Sequence, residues 1–206
     1  MNIICVGLNY ALHAKEMKSA APSKPVLFSK PSHALVEQPE EIVLPKGRGR
    51  VDYEAELVLK LKDTYETGAD LADCVEAFTL GLDLTLRDEQ AWAKENGKPW
   101  LVAKGFKGSA IIGEWQPFIS EEDFLEQAFR LTINGETRQQ GSPRDMTFSV
   151  RELLEYGVDV VGLGKGDLLF TGTPDGIGPL HEGDKLQLSL VSSGKVLHKS
   201  VVVGKS

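Results

Sequence analysis

Glu54 and Glu56 are the first residues of this sequence whose type and spacing suit chemistry. They lie in Val51-Asp52-Tyr53-Glu54-Ala55-Glu56-Leu57-Val58-Leu59-Lys60-Leu61. There Val51, Tyr53, Ala55, Leu57, Leu59 and Leu61 alternate with mostly polar neighbours, which predicts a β-strand with one buried face. Both carboxylates then point to the same side, roughly 6.5–7 Å apart. A lone Glu-x-Glu reads more readily as an acidic face in solvent. Two carboxylates side by side repel unless a cation lies between them, and a divalent ion held by oxygen ligands is the usual solution. Asp83 adds a third acid inside Phe78-Thr79-Leu80-Gly81-Leu82-Asp83-Leu84. A buried carboxylate is costly without a partner, and a capping or turn role accounts for Asp83 as well as a ligand role does. Taken together, the three acids predict a Mg2+ or Mn2+ site with positions open to water and substrate. Asp52 shares the face by parity but is left out of the set. It would lie roughly 13 Å from Glu56 along an extended strand.

Groups suited to proton transfer and anion binding flank these acids. His13 and Glu16 are spaced i, i+3, so on a helix they share a face. Glu16 would orient His13, and His13 would take a proton from water; an ordinary surface pair is the alternative. Arg87 and Gln90 follow Asp83 at i+4 and i+7, near one stripe of a helix. Lys104 ends the apolar run Trp100-Leu101-Val102-Ala103. Arg87 and Lys104 either snorkel at the surface or bind a carboxylate or developing oxyanion. In Thr171-Gly172-Thr173-Pro174, the glycine permits close backbone approach and the threonines offer donors to an anion. A tight connection between strands has the same composition.

The elements that must position these groups are mostly short strands. Strands are predicted at Ile3–Val6, Val26–Ser29, Ile42–Leu44, Ala110–Ile112 and Asp167–Thr171. Hairpins are predicted at Phe129 onward, through an Asn134-Gly135 turn, and from Lys185 to Val203. Helices are expected from about Tyr10 to Lys18 with Asn9 as cap, then at Asp70–Phe78, Leu86–Glu95 and Ser120–Gln127. A last helix opens on the capping box Ser149-Val150-Arg151-Glu152 and closes at Gly157. Ala20-Ala21-Pro22-Ser23-Lys24-Pro25 reads as a loop. Strands do not alternate regularly with helices, which disfavours a doubly wound or α/β barrel fold. The expected class is α+β, mainly β. Gly162-Leu163-Gly164-Lys165-Gly166 lacks the spacing of a nucleotide loop and reads as turn chemistry.

Composition narrows the function classes. The 206 residues suit one well-filled core. With 41% hydrophobic and 26% charged residues the chain is ordinary for a globular protein. A net charge of −7 argues against a general binder of nucleic acid or anionic membrane. The two cysteines, Cys5 and Cys74, have no zinc or redox spacing, so reduced thiols and a cytoplasmic location are expected. The first residues lack the basic start of a signal peptide.

Six stretches, in order, resemble the fumarylacetoacetate hydrolase family: Val6-Gly7-Leu8-Asn9-Tyr10-Ala11-Leu12-His13-Ala14-Lys15-Glu16, Pro25-Val26-Leu27-Phe28-Ser29-Lys30-Pro31, Asp52-Tyr53-Glu54-Ala55-Glu56-Leu57, Leu82-Asp83-Leu84-Thr85-Leu86-Arg87-Asp88, Leu101-Val102-Ala103-Lys104 and Thr171-Gly172-Thr173-Pro174. The likeness is to its short acylpyruvate hydrolase and oxaloacetate decarboxylase or tautomerase type. It implies the family's mixed β-roll with short peripheral helices, in one catalytic domain over residues 1–206. An N-terminal segment, 1–45, would carry a lid-like helix near 10–18, and 46–206 would form the core. The resemblance further implies Mg2+ or Mn2+ on Glu54, Glu56 and Asp83, a water-activating dyad of His13 and Glu16, and a homodimer. Gln90 and Lys104 would contact the substrate and stabilise an oxyanion. Arg87, Gly172 and Thr173 would bind substrate. The expected reaction is cleavage of acylpyruvates to pyruvate and a carboxylic acid. Oxaloacetate decarboxylation or tautomerisation on the same site is the alternative, and a binding protein without turnover is the alternative of another class. Leu8 stands where some close members have Arg, a departure that bears on which keto acid is bound.

Overall fold

The computed structural model describes residues 1–17 and 22–204. In chain order come β1 (Ile3–Gly7), α1 (Ala11–Glu16), β2 (Val26–Lys30), β3 (Leu35–Glu37) and β4 (Glu41–Leu44). Next are β5 (Val51–Tyr53), β6 (Ala55–Leu61), α2 (Leu71–Cys74), β7 (Val75–Asp83), β8 (Thr85–Leu86), α3 (Arg87–Glu95) and α4 (Leu101–Lys104). Then follow β9 (Ala110–Ile112), β10 (Gln116–Pro117), α5 (Glu121–Leu125), β11 (Phe129–Ile133), β12 (Glu136–Gly141) and α6 (Val150–Val161). The chain ends with β13 (Leu168–Phe170), β14 (Gly178–Pro179), β15 (Lys185–Leu190) and β16 (Val196–Gly204).

Strands dominate, as expected, and form a mixed, curled arrangement of three sheets. The largest runs β2-β1-β13-β6-β7-β9-β3, with β10 added to β7. The second runs β12-β11-β15-β16-β4, and a small third runs β14-β5-β8. β1 pairs in parallel with β13 and antiparallel with β2, so the N-terminal strands are built into the largest sheet. One core cluster joins Leu57, Leu59, Leu61, Leu80 and Leu82 to Leu131 and Leu188 of the second sheet and to Leu153 and Leu154 of α6. A second, with Ile3, Cys5, Val58, Ile112 and Phe170, lies on the other face of the large sheet. Among the described residues, no helix is long and apolar enough to cross a membrane.

Several local expectations change, each for a packing reason. The strand predicted over Val51–Leu61 is two strands broken at Glu54: β5 enters the small sheet and β6 the large one. Nor is one face in solvent, because Val58 packs into the second cluster while Leu57 and Leu59 fill the first. The helix expected over Asp70–Phe78 stops at Cys74. Asp70, expected as its first residue, instead caps it, accepting from the Ala72 N–H at 2.9 Å. The β-branched and aromatic residues from Val75 onward instead pair with β6, a case of sheet pairing overriding local propensity. Asn9 does not cap α1; its amide spans Phe148 and Thr171, tying the N-terminal segment to the rest of the chain. Lys18, the expected end of that helix, and Ala20 and Ala21 lie outside the described residues. Gly157 sits inside α6, where a Cβ would come within 2.3 Å of Leu163 Cδ1. The helix closes at Gly162, at φ 73°.

Candidate active site

The break at Glu54 is what assembles the acids. The Asp83 N–H donates to Glu54 O at 2.8 Å, so the last residue of β7 is fixed beside the first of the three acids. Glu56 lies opposite Gly81 in the β6–β7 ladder. Oxygens of Glu54, Glu56 and Asp83 come within 4.8 Å of one another, and all three side chains are buried. One pocket is lined by these acids together with His13, Arg87, Gln90, Lys104 and Thr173, with Leu8, Phe28 and Trp100 on its apolar side.

A network of charges holds the acids in place. Lys104 Nζ bridges Glu54 Oε2 at 2.6 Å and Asp83 Oδ2 at 2.7 Å. Arg87 donates to Glu54 Oε1 at 2.7 Å, to Asp52 Oδ2 at 2.8 Å and to Gln90 Oε1 at 2.6 Å. Glu56 Oε2 accepts the Gly172 N–H at 2.8 Å. Burial alone would raise the Glu54 carboxyl, but Lys104 and Arg87 outweigh it and hold the group well below the usual carboxylate range. Glu56 goes the other way. Burial, then the charges of Asp83 and Glu54, push it well above that range. Negative charge at Glu56 is therefore under-compensated by the protein. Three hard oxygen donors with that deficit fit a divalent cation.

The remaining expected residues divide. His13 lines the pocket, and its Nδ1 lies 3.3 Å from Glu16 Oε2. Glu16 stands behind it, where its other oxygen accepts the Gly176 N–H at 3.3 Å. Gln90 and Lys104 are buried at the pocket wall. Thr173 lines the pocket, whereas the Gly172 N–H is directed to Glu56. Leu8 lines the pocket with φ 60°, a left-handed backbone that is rare for a bulky residue.

Three supporting residues have no role assigned from sequence, although Asp52 was weighed as a ligand and left out. Asp52, fully buried, takes both Arg87 and Arg50. Lys30, also buried, reaches Asp83 Oδ1 at 2.7 Å and the Leu84 and Lys104 carbonyls. Gln139, from the second sheet, accepts the Ala55 N–H at 2.8 Å and donates to Thr173 Oγ1 at 2.8 Å and Pro174 O at 2.9 Å. A β-bulge between Leu131 and Thr132 sets the pairing on this part of β12, a device that re-aims side chains near active sites. Local signals existed for Asp52, a carboxylate two residues before the break at Glu54, and for Lys30, in an apolar strand. Gln139 had none, because only the packing of two sheets brings it here.

Comparison with known proteins agrees with this fold. The family model for the fumarylacetoacetate (FAA) hydrolase C-terminal region matches residues 2–201. The oxaloacetate tautomerase YcgM of Escherichia coli K12 is 38% identical over 190 residues, 91% of this chain and 87% of that protein. The mitochondrial oxaloacetate tautomerase FAHD1 of Bos taurus is 38% identical over 191 residues, 92% of this chain and 86% of that protein. The crystal structure of fumarylpyruvate hydrolase from Pseudomonas aeruginosa, in complex with Mn2+ and pyruvate, superposes with a TM-score of 0.89 at 33% identity, covering 100% of this chain and 90% of that one. A mixed, curled β fold around a buried triad of acids defines the class, and the chain belongs to the fumarylacetoacetate hydrolase family.

Proposed function

We propose that this chain is a divalent-metal-dependent enzyme acting on short 2-oxo acids, cleaving acylpyruvates to pyruvate and a carboxylic acid. The observation that carries the reading is a triad of buried acids sharing one pocket with His13, which Glu16 backs, and three cations, Arg87, Lys94 and Lys104. Glu54, Glu56 and Asp83 would hold Mg2+ or Mn2+, and the Mn2+ of the Pseudomonas structure supports that choice. When bound, such an ion supplies a Lewis acid for the 1-carboxylate and 2-oxo group and stabilises enolate charge. His13, oriented by Glu16, takes a proton from the water that attacks the distal carbonyl. Lys104 has one N–H left beyond its two carboxylates to meet the oxyanion. Gln90 accepts from Arg87 through Oε1, which leaves its NH2 group to donate. The Thr173 hydroxyl donates to Ala55 O at 2.9 Å, so a carboxylate at Thr173 is met by the backbone N–H.

A second reading is keto–enol tautomerisation of oxaloacetate, favoured by the names of the two relatives. The same dyad then moves a proton at carbon instead of activating water. Decarboxylation of oxaloacetate needs no activated water and leaves the dyad without a task. Two free, buried thiols support a reducing, cytoplasmic setting. A homodimer and a single catalytic domain complete the proposal. Product analysis of acetylpyruvate and oxaloacetate with Mn2+ tests it. Pyruvate plus acetate from the first supports hydrolysis. Accelerated enol–keto exchange of the second, without cleavage of the first, selects tautomerisation. Binding of both without turnover leaves a binding protein.

A further inference from the structure

The aromatic side of the pocket carries an ammonium at each end. Phe28 and Trp100 pack edge to face, with centroids 5.8 Å apart. Lys104 Nζ lies 4.9 Å from the Phe28 centroid, and Lys94 Nζ lies 5.1 Å from the Trp100 centroid. Lys104 is buried on the acids, whereas Lys94 is exposed at the other end of the wall. Arg87, Gln90 and Lys94 all line the pocket from α3. Their spacing of three and then four residues forms one stripe. The stripe runs from the buried triad toward solvent, and the step from Gln90 to Lys94 is about 6 Å of helix. Of the lysine and arginine side chains lining this pocket, Arg87 and Lys104 are committed to Asp52, Glu54 and Asp83. Lys94 makes no ion pair among the described residues. The Trp100 ring holds its ammonium at the pocket without neutralising it.

We infer that Lys94 is a specificity-determining residue that binds the second carboxylate of a dicarboxylic 2-oxo acid, at the end of the pocket remote from the triad. The inference rests on the reading of this pocket as a 2-oxo-acid site. A substrate whose 1-carboxylate is held at the acid end extends its far end along the Phe28–Trp100 wall toward Lys94. A charged far end then gains a charge-assisted hydrogen bond that a neutral acyl group cannot make. Among the described residues, the rest of the lining beside Leu8, Phe28 and Trp100 carries no positive charge other than Arg87, Lys94 and Lys104.

Oxaloacetate and its 4-methyl ester differ in that one charge and form the matched probe. Both are measured as ligands of the Mn2+-loaded full chain, as substrates or as competitive inhibitors of acetylpyruvate turnover. The wild type prefers the diacid. In Lys94→Met the ratio of the two constants falls by about tenfold, the size of one partly exposed charge-assisted bond. In Lys94→Arg most of the preference returns. A purely structural lysine would shift both ligands together and leave the ratio unchanged, and that result overturns the inference. So does an unchanged ratio with both affinities intact. If wild-type protein binds Mn2+ but neither ligand, the 2-oxo-acid reading of the pocket fails, and the role of Lys94 with it.

Discussion

Asp52 offers the sharpest test of how the site is held. Asp52→Asn keeps the shape of a fully buried side chain and removes its charge. One carboxylate oxygen becomes an NH2 group facing the guanidinium donors of Arg87 and Arg50. A hydrogen bond to a charged group contributes about 1.5–3 kcal/mol, and the bond to Arg87 is of that kind. The Arg50 side chain is half exposed, so its pair adds at most about 1 kcal/mol. Together these give a loss of about 2–4 kcal/mol, which for a chain of this size lowers Tm by about 4–16 °C. Arg87 also anchors Glu54 and Gln90, so the loss reaches the pocket. Changes in residues that orient metal ligands typically cost about 10–100-fold in metal affinity or activity. Thermal unfolding by circular dichroism and Mn2+ titration by calorimetry read the two effects. A variant with Tm within about 1 °C of wild type and unchanged Mn2+ affinity refutes the anchoring role.

Gly81→Ala places a Cβ within 2.7 Å of Ile111 O and 2.8 Å of Val58 Cγ2 in the middle of the large sheet. Urea unfolding should show a loss of about 1–3 kcal/mol with the slope unchanged, and a wild-type midpoint would contradict the packing described. His13→Ala should abolish acylpyruvate cleavage while Mn2+ affinity stays near that of wild type; cleavage that persists places the base elsewhere. Burial pushes the Cys74 thiol from its ordinary 9.0 up to about 11. The unfolded thiol ionises first, so stability is full below pH 9 and falls as pH rises toward 11. Cys74→Ala should flatten that decline in denaturation midpoints measured across the range, and an identical slope would assign it to other groups.

How much of this was legible in the sequence depends on the range of the contact involved. The strand that carries Glu54 and Glu56 was visible because alternating apolar residues mark a β-strand wherever it packs. Its break at Glu54 was not, since nothing local shows that β5 and β6 enter different sheets. The Asn134-Gly135 turn and the Ser149 capping box act within four residues, and both appear as predicted. Gly157 misled because a glycine near a helix end looks like a stop. Here it makes room for Leu163. Among the site residues, the triad was read from charge and spacing, aided by family likeness. Behind it stand Asp52, two residues from Glu54 on β5, and Lys30 of β2 and Gln139 of β12, which lie far off in sequence and are brought here only by the folded sheets.

The central claim is that Glu54, Glu56 and Asp83 form one metal site on which turnover depends. Mn2+ titration of the full chain, coupled to turnover of acetylpyruvate and oxaloacetate with and without chelator, tests it most directly. The account predicts one ion per chain, turnover of at least one of the two substrates that chelator abolishes, and loss of both binding and turnover in Glu54→Ala/Glu56→Ala. Turnover that survives chelation, or a double variant that binds Mn2+ and reacts as wild type, would contradict it.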